Sequence, residues 1–119
     1  MIFHITTPKN WQKAQVTKEY KAESLDREGF IHCSTKSQVI KVANTFYRNH
    51  EQLIVLKINT DKLLPTIIWE PPIHPHPHLV NELDNNQNFP HVYGIINIDA
   101  VEEIINLYKN DKDLFVDIF

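Results

Sequence analysis

The chain has one cysteine, Cys33, among its 119 residues, so no intrachain disulfide forms and the fold must rest on its packed core. Its only guanidinium groups are those of Arg27 and Arg48, which disfavours functions built on bidentate phosphate clamps. It also has no excess of positive charge. Lys and Arg number 12 against 15 Asp and Glu, a net charge of −3, so little counterion release is on offer to a nucleic-acid backbone and long RNA or DNA is disfavoured as a partner. No apolar run approaches the ~20 residues that cross a bilayer as a helix. Met1-Ile2-Phe3-His4 has neither the basic nor the long apolar region of a secretory leader, and the chain reads as cytoplasmic.

What remains is an ordinary globular composition, 42% hydrophobic and 23% charged. A chain of this length buries roughly two-thirds of the surface that it exposes when unfolded, which is enough for one core. One domain over residues 1–119 is expected.

Ile2 to Thr6 reads as a strand. Thr7 caps and Pro8 opens a helix to about Val16. Leu25 to Ser34 reads as a tight turn at Gly29 followed by a strand, and Ser34 or Thr35 caps the next helix, over about 37–48. In that helix Val39, Ile40, Ala43, Phe46 and Tyr47 recur at helical spacing. Gln52 to Ile58 and Thr66 to Glu70 are β-rich. Pro71 to Pro90 holds five of the seven prolines and reads as a long loop with a short helical turn near Val80. His91 to Ile98 returns to β character. Asp99 then caps a helix to about Lys109 with Val101, Ile104, Ile105 and Tyr108 inward, and Leu114 to Phe119 closes as an edge strand.

Three histidines stand at strand ends beside hydroxyl side chains: His4 with Thr6, His32 with Ser34 and Thr35, and His91 with Tyr93. An imidazole donates from one nitrogen and accepts at the other, which suits holding vicinal hydroxyls or moving a proton near neutral pH. One such histidine is usually structural, but three in this setting point to a shared polar pocket. Cys33 adjoins His32, and successive strand residues face opposite ways, so a pocket-facing His32 puts Cys33 in the core as a small hydrophobe. Trp11 and Trp69 read as packing residues. His74, His76 and His78 alternate with prolines, which send side chains in different directions, so they read as an adventitious metal binder and no metal site is assigned. Glu70, at a strand end before Pro71, is either a solvent-facing terminus or a carboxylate that stabilises charge at a sugar carbon.

Phe3-His4-Ile5-Thr6, Glu28-Gly29-Phe30-Ile31-His32-Cys33-Ser34-Thr35, Trp69-Glu70 and Phe89-Pro90-His91-Val92-Tyr93-Gly94 occur in this order, and together they resemble the small bacterial family called domain of unknown function 952. The resemblance spans nearly the whole chain. A looser similarity links it to ADP-ribosyltransferase folds, above all the RNA 2′-phosphotransferases, through a first strand ending His-x-Thr and a second ending His-x-Ser. That similarity implies a bent, mainly antiparallel sheet flanked by the three helices at about 8–16, 37–48 and 99–109, an α+β fold. It implies NAD as cofactor or substrate, with His4, Thr6, Ser34, Thr35 and Tyr93 binding the ligand. His32, His91 and Glu70 would act on it, Glu70 standing in for the transferases' catalytic glutamate.

The expected function is therefore a nucleotide-type ligand site that transfers or cleaves at the nicotinamide ribose. Two other classes remain open: a catalytically silent module that binds a small polar metabolite or a protein terminus, and a metal-assisted hydrolase.

Overall fold

The structure, a computed structural model, describes residues 1–72 and 87–116. Strand β1 (Ile2–Thr6) leads into α1 (Pro8–Thr17), where the Thr7 side chain accepts from the Asn10 backbone N–H and Pro8 sits in the first turn. Lys18, in the left-handed region at φ 67°, ends the helix. A short β2 (Glu19–Tyr20) follows, then α2 (Glu23–Glu28), β3 (Ile31–His32) and α3 (Val39–Phe46). The second half contributes β4 (Gln52–Ile58), β5 (Thr66–Glu70), β6 (Phe89–Tyr93), β7 (Ile96–Asn97) and β8 (Val101–Tyr108). The described residues form a small α+β domain with three helices and antiparallel sheets.

Helix α2 differs from the turn-and-strand reading of residues 25–34. Arg27 donates to Glu23 one turn earlier, and Gly29 at φ 88° ends the helix with its N–H on the Leu25 carbonyl, the usual left-handed stop. The strand that follows shrinks to Ile31–His32.

The expected helix over 99–109 is not there. Asp99 opens only a 3-10 turn, Ile98–Ala100, and Val101–Tyr108 is a strand. Val101, Ile104, Ile105 and Tyr108 fit a helical period, but the segment is rich in β-branched residues and β4 has an edge to pair. With that pairing Ile105 and Leu107 turn inward, whereas Ile104 and Tyr108 face solvent. The edge strand expected at 114–119 reduces to a bridge between Lys109 and Phe115, with 117–119 outside the described residues. Outside them too lie the turn expected near Val80 and His74, His76 and His78.

Among the described residues three antiparallel sheets result, ordered β1-β4-β8, β2-β7 and β3-β6-β5. Phe3 and Ser34 exchange two backbone hydrogen bonds, of 2.8 and 2.7 Å, and so join the first sheet to the chain leaving β3. Strand β4 is buried on both faces. Leu53 and Val55 pack with Phe3, Ile5, Val39 and Ala43 under α3, while Ile54, Leu56 and Ile58 pack with Trp11, Tyr20, Ile31 and Val92. Trp11 is a core residue, but Trp69 is exposed on the edge strand β5 and does not pack as expected. Among the described residues no helix is long and apolar enough to cross a membrane.

Candidate functional site

The site follows from strand alternation. On β1, Phe3 and Ile5 turn toward α3, which sends His4 and Thr6 to the opposite face. The Phe3–Ser34 bridge sets the segment that follows β3 beside them. The middle of β6 is added by direct pairing of His32 with His91. A cavity of about 330 Å³ opens between these strands, α1, α2 and α3, within the usual range for small-molecule sites.

His4 is buried, and both of its ring nitrogens are engaged within the protein. Nδ1 lies 2.6 Å from the His32 carbonyl and Nε2 lies 2.7 Å from the Tyr20 hydroxyl. A carbonyl only accepts, so Nδ1 carries the proton. Burial lowers the His4 pKa to about 4, so the ring is neutral at pH 7 and Nε2 accepts from Tyr20. The Tyr20 hydroxyl also lies 2.8 Å from Thr6 Oγ1, which links the three side chains. Burial first, against the Thr6 contact, pushes the Tyr20 hydroxyl above its ordinary pKa.

His32 presents a different picture. Its side chain is 35% exposed and its Nε2 lies 2.5 Å from Glu28 Oε2. A carboxylate accepts, so Nε2 carries the proton and Nδ1 is the basic nitrogen. Among the described residues Nδ1 has no hydrogen-bond partner. Burial lowers the His32 pKa more than Glu28 raises it, and the ring is neutral at pH 7. A histidine held by a carboxylate on one nitrogen and basic on the other is the arrangement of an oriented general base.

His91 is 1% exposed and stacks on Phe30 at 4.1 Å between centroids. Its Nδ1 donates to Glu70 Oε1 over 2.8 Å, and the Tyr93 hydroxyl donates to the same oxygen over 2.5 Å. Tyr93 and then His91 hold the Glu70 carboxyl below the usual carboxylate range, and Glu70 in turn raises the Tyr93 hydroxyl.

Of the residues singled out from the sequence, His4, Thr6, His32, Ser34 and His91 line the one cavity. Glu70 and Tyr93 do not line it; they meet behind His91. Thr35 does not line it either, and neither Ser34 nor Thr35 caps α3 as expected: Gln38 stands at the N-cap without a side-chain cap bond, while the Thr35 carbonyl accepts from the Gln38 and Val39 N–H and its hydroxyl lies 3.1 Å from that of Ser37. Cys33 is buried in the core at the cavity wall, and desolvation pushes its thiol pKa up.

Sequence reasoning missed Tyr20, Glu28 and Arg27, all of which line the cavity. The signal for the last two was present: Glu23 and Arg27 stand four apart just before Gly29, the spacing and stop of a helix. No local signal marks Tyr20, which reaches His4 only because β2 pairs with the distant β7.

The family described as protein of unknown function (DUF952) matches residues 5–104. No curated relative matches the chain. Among solved structures, the crystal structure of protein CC0527 from Caulobacter crescentus is similar, with a TM-score of 0.79 at 20% identity over 97% of this chain and 92% of that one. The solution NMR structure of CC0527 gives a TM-score of 0.74 at 20% identity, over 95% and 89%. That likeness establishes the shared fold.

Proposed function

The chain belongs to this DUF952 family, and from its cavity we propose that it binds a small ribose-bearing ligand of the NAD or ADP-ribose type and transfers or cleaves a group at the ribose. The observation that carries this reading is the Glu28–His32 pair at a cavity of ligand size, with a basic Nδ1 and no protein partner for it among the described residues. Arg27, whose guanidinium pairs with Glu23 at 2.9 Å, lines the cavity and has further N–H groups to offer a ligand phosphate. An ADP-ribosyltransferase-like arrangement is supported by the Phe3–Ser34 bridge, which sets the His4 and Thr6 strand beside the His32 and Ser34 segment. In this reading His4 and Tyr20 shape the wall, and His32 does the proton transfer. Glu28 holds the base.

A thermal-shift series with NAD, ADP-ribose, AMP and ribose 5-phosphate at millimolar concentration tests binding, because a ligand at a hundred times its dissociation constant stabilises by ~2.7 kcal/mol. Assays of nicotinamide release and ADP-ribose consumption with His32→Ala test turnover. An unchanged melting temperature across the series would sink the reading.

A silent binding module is the second reading. The observation favouring it is that His4, the residue the resemblance places against the ribose, already has both nitrogens bonded within the protein. Saturable binding with no product would select it. The metal-assisted alternative has no group of three metal-ligating side chains among the described residues.

A further inference from the structure

We infer that His32 and His91 form a single base–acid couple that hydrolyses an acyl ester carried on the ribose of the bound ligand. The inference rests on the ribose-ligand reading above and specifies the bond that is broken.

The two histidines are directly opposed residues of β3 and β6, with ring centroids 5.5 Å apart and planes at 78°. Each donates one nitrogen to its own carboxylate, His32 Nε2 to Glu28 and His91 Nδ1 to Glu70. The nitrogens left for chemistry are therefore His32 Nδ1 and His91 Nε2, on rings that line the same cavity. Two cationic rings this close repel, and the charge of His91 is among the causes that keep His32 neutral. His91, its Nδ1 donating to Glu70 over 2.8 Å, takes the acid's part in the couple and His32 the base's.

Inversion at a sugar carbon needs its two groups about 6.5–9.5 Å apart, and the closer retaining pair, about 5–5.5 Å apart, needs a free carboxylate as nucleophile, whereas Glu28 and Glu70 are each held by a histidine. Rings packed edge to face at 5.5 Å sit on one side of a substrate. Attack on an acyl carbon suits them better, because the entering and leaving oxygens are attached to the same tetrahedral carbon and each needs a group within about 2.6–3.2 Å. Loss of nicotinamide from NAD also needs no acid, since that leaving group departs neutral, so His91 would have no task there.

In the step, a water proton passes to His32 Nδ1 as the water oxygen bonds to the acyl carbon. The bond from that carbon to the ribose oxygen then breaks, its electron pair stays on the ribose oxygen, and His91 Nε2 protonates it. The products are a carboxylic acid and the free ribose hydroxyl, and solvent returns the proton from His32 to His91.

The test uses the full chain with three probes: ADP-ribose acetylated on a ribose hydroxyl, 4-nitrophenyl acetate and NAD. A nitrophenolate leaves without a proton and a ribose alkoxide does not. His91→Gln should therefore slow the ribosyl ester at least about 100-fold more than the nitrophenyl ester, the size of a general-acid contribution. His32→Gln should slow both esters by similar factors. Glu70→Gln should show the His91 pattern in weaker form, and it serves if His91→Gln fails to fold. Equal slowing of the two esters in the His91 and Glu70 variants would reduce His91 to a structural role and overturn the couple. NAD cleavage with the ribosyl ester untouched, or a thermal shift from ADP-ribose without ester turnover, would also overturn it while leaving the ligand reading intact. No thermal shift from any probe would end both.

Discussion

His32 and His91 are paired residues with unlike surroundings: one is 35% exposed beside Glu28, the other 1% exposed against Phe30. Their alanine variants should separate on stability. His32→Ala leaves Glu28 short of a partner near solvent and should cost about 1 kcal/mol. His91→Ala removes a buried stacked ring and the Nδ1 donor to Glu70, and should cost about 2–4 kcal/mol. Urea melts of the two variants decide it, and a larger loss for His32→Ala would contradict the geometry.

Acid should weaken the fold through His4. Its folded pKa, about 4, lies below the 6.5 of an unperturbed histidine, so between those values the unfolded chain binds the extra proton. The stabilisation is complete above pH 6.5 and is lost as pH falls toward 4, by on the order of 3 kcal/mol in all. His32, also lowered, adds a loss of the same sign. Stability measured from pH 7.5 to 4 should decline in this window, and His4→Gln, whatever its own stability, should flatten the decline. An unchanged slope in that variant would place the titration elsewhere.

Tyr20→Phe should be costly for a single oxygen. The hydroxyl serves His4 Nε2 and Thr6 Oγ1 at once, and both are buried. We expect a loss of ~1–3 kcal/mol, with a double-mutant cycle against Thr6→Val showing that the two do not add. Strict additivity would mean that the hydroxyls act independently.

How much of this was legible in the residues depended on how local the cause was. Strands β1, β4 and β5 followed from short β-rich runs, α1 from the Thr7 and Pro8 start signal, and α3 from helical spacing within a few residues. Strand β8 did not, because Val101, Ile104, Ile105 and Tyr108 satisfy a helical period as well, and only the open edge of β4 settles the matter. The site shows the same division. His4, Thr6, His32, Ser34 and His91 carry their hydroxyl neighbours locally and do share a cavity, although His4 and His91 stand mid-strand in β1 and β6 and not at strand ends as expected. Tyr20 and Glu28 gain their roles from a pairing and a helix stop that place them against histidines elsewhere.

Cys33 should behave as an inert thiol. Burial disfavours its thiolate, and the residue is 3% exposed. A disulfide reagent at neutral pH should label the native protein at least about 100-fold more slowly than the urea-unfolded chain. Labelling at similar rates would place the sulfur on the open side of the strand.

The two glycines should respond differently to alanine. A Cβ on Gly94 would lie 2.7 Å from Pro65 Cβ, so a loop must shift, at a cost of about 1–3 kcal/mol. Gly29 has open space but a φ of +88°, where an L residue is strained by roughly 1–2 kcal/mol. Melting curves of Gly94→Ala and Gly29→Ala measure both, and a neutral Gly94→Ala would contradict the close approach.

The place of β4, buried on both faces between β1 and β8, sets the order in which a nascent chain can become a protein. Ile5 pairs with Val55 and Val55 with Ile105, so each contact waits for about fifty more residues to be synthesised. While the ribosome is still adding residues short of β8, β4 presents Leu53, Val55 and Leu56 along an unpaired edge, the kind of surface that other strands join. The newborn chain is therefore most exposed to aggregation while residues 59–108 are being added, and a chaperone that shields β4 until residue 108 has emerged would raise the yield more than one acting at the N-terminus.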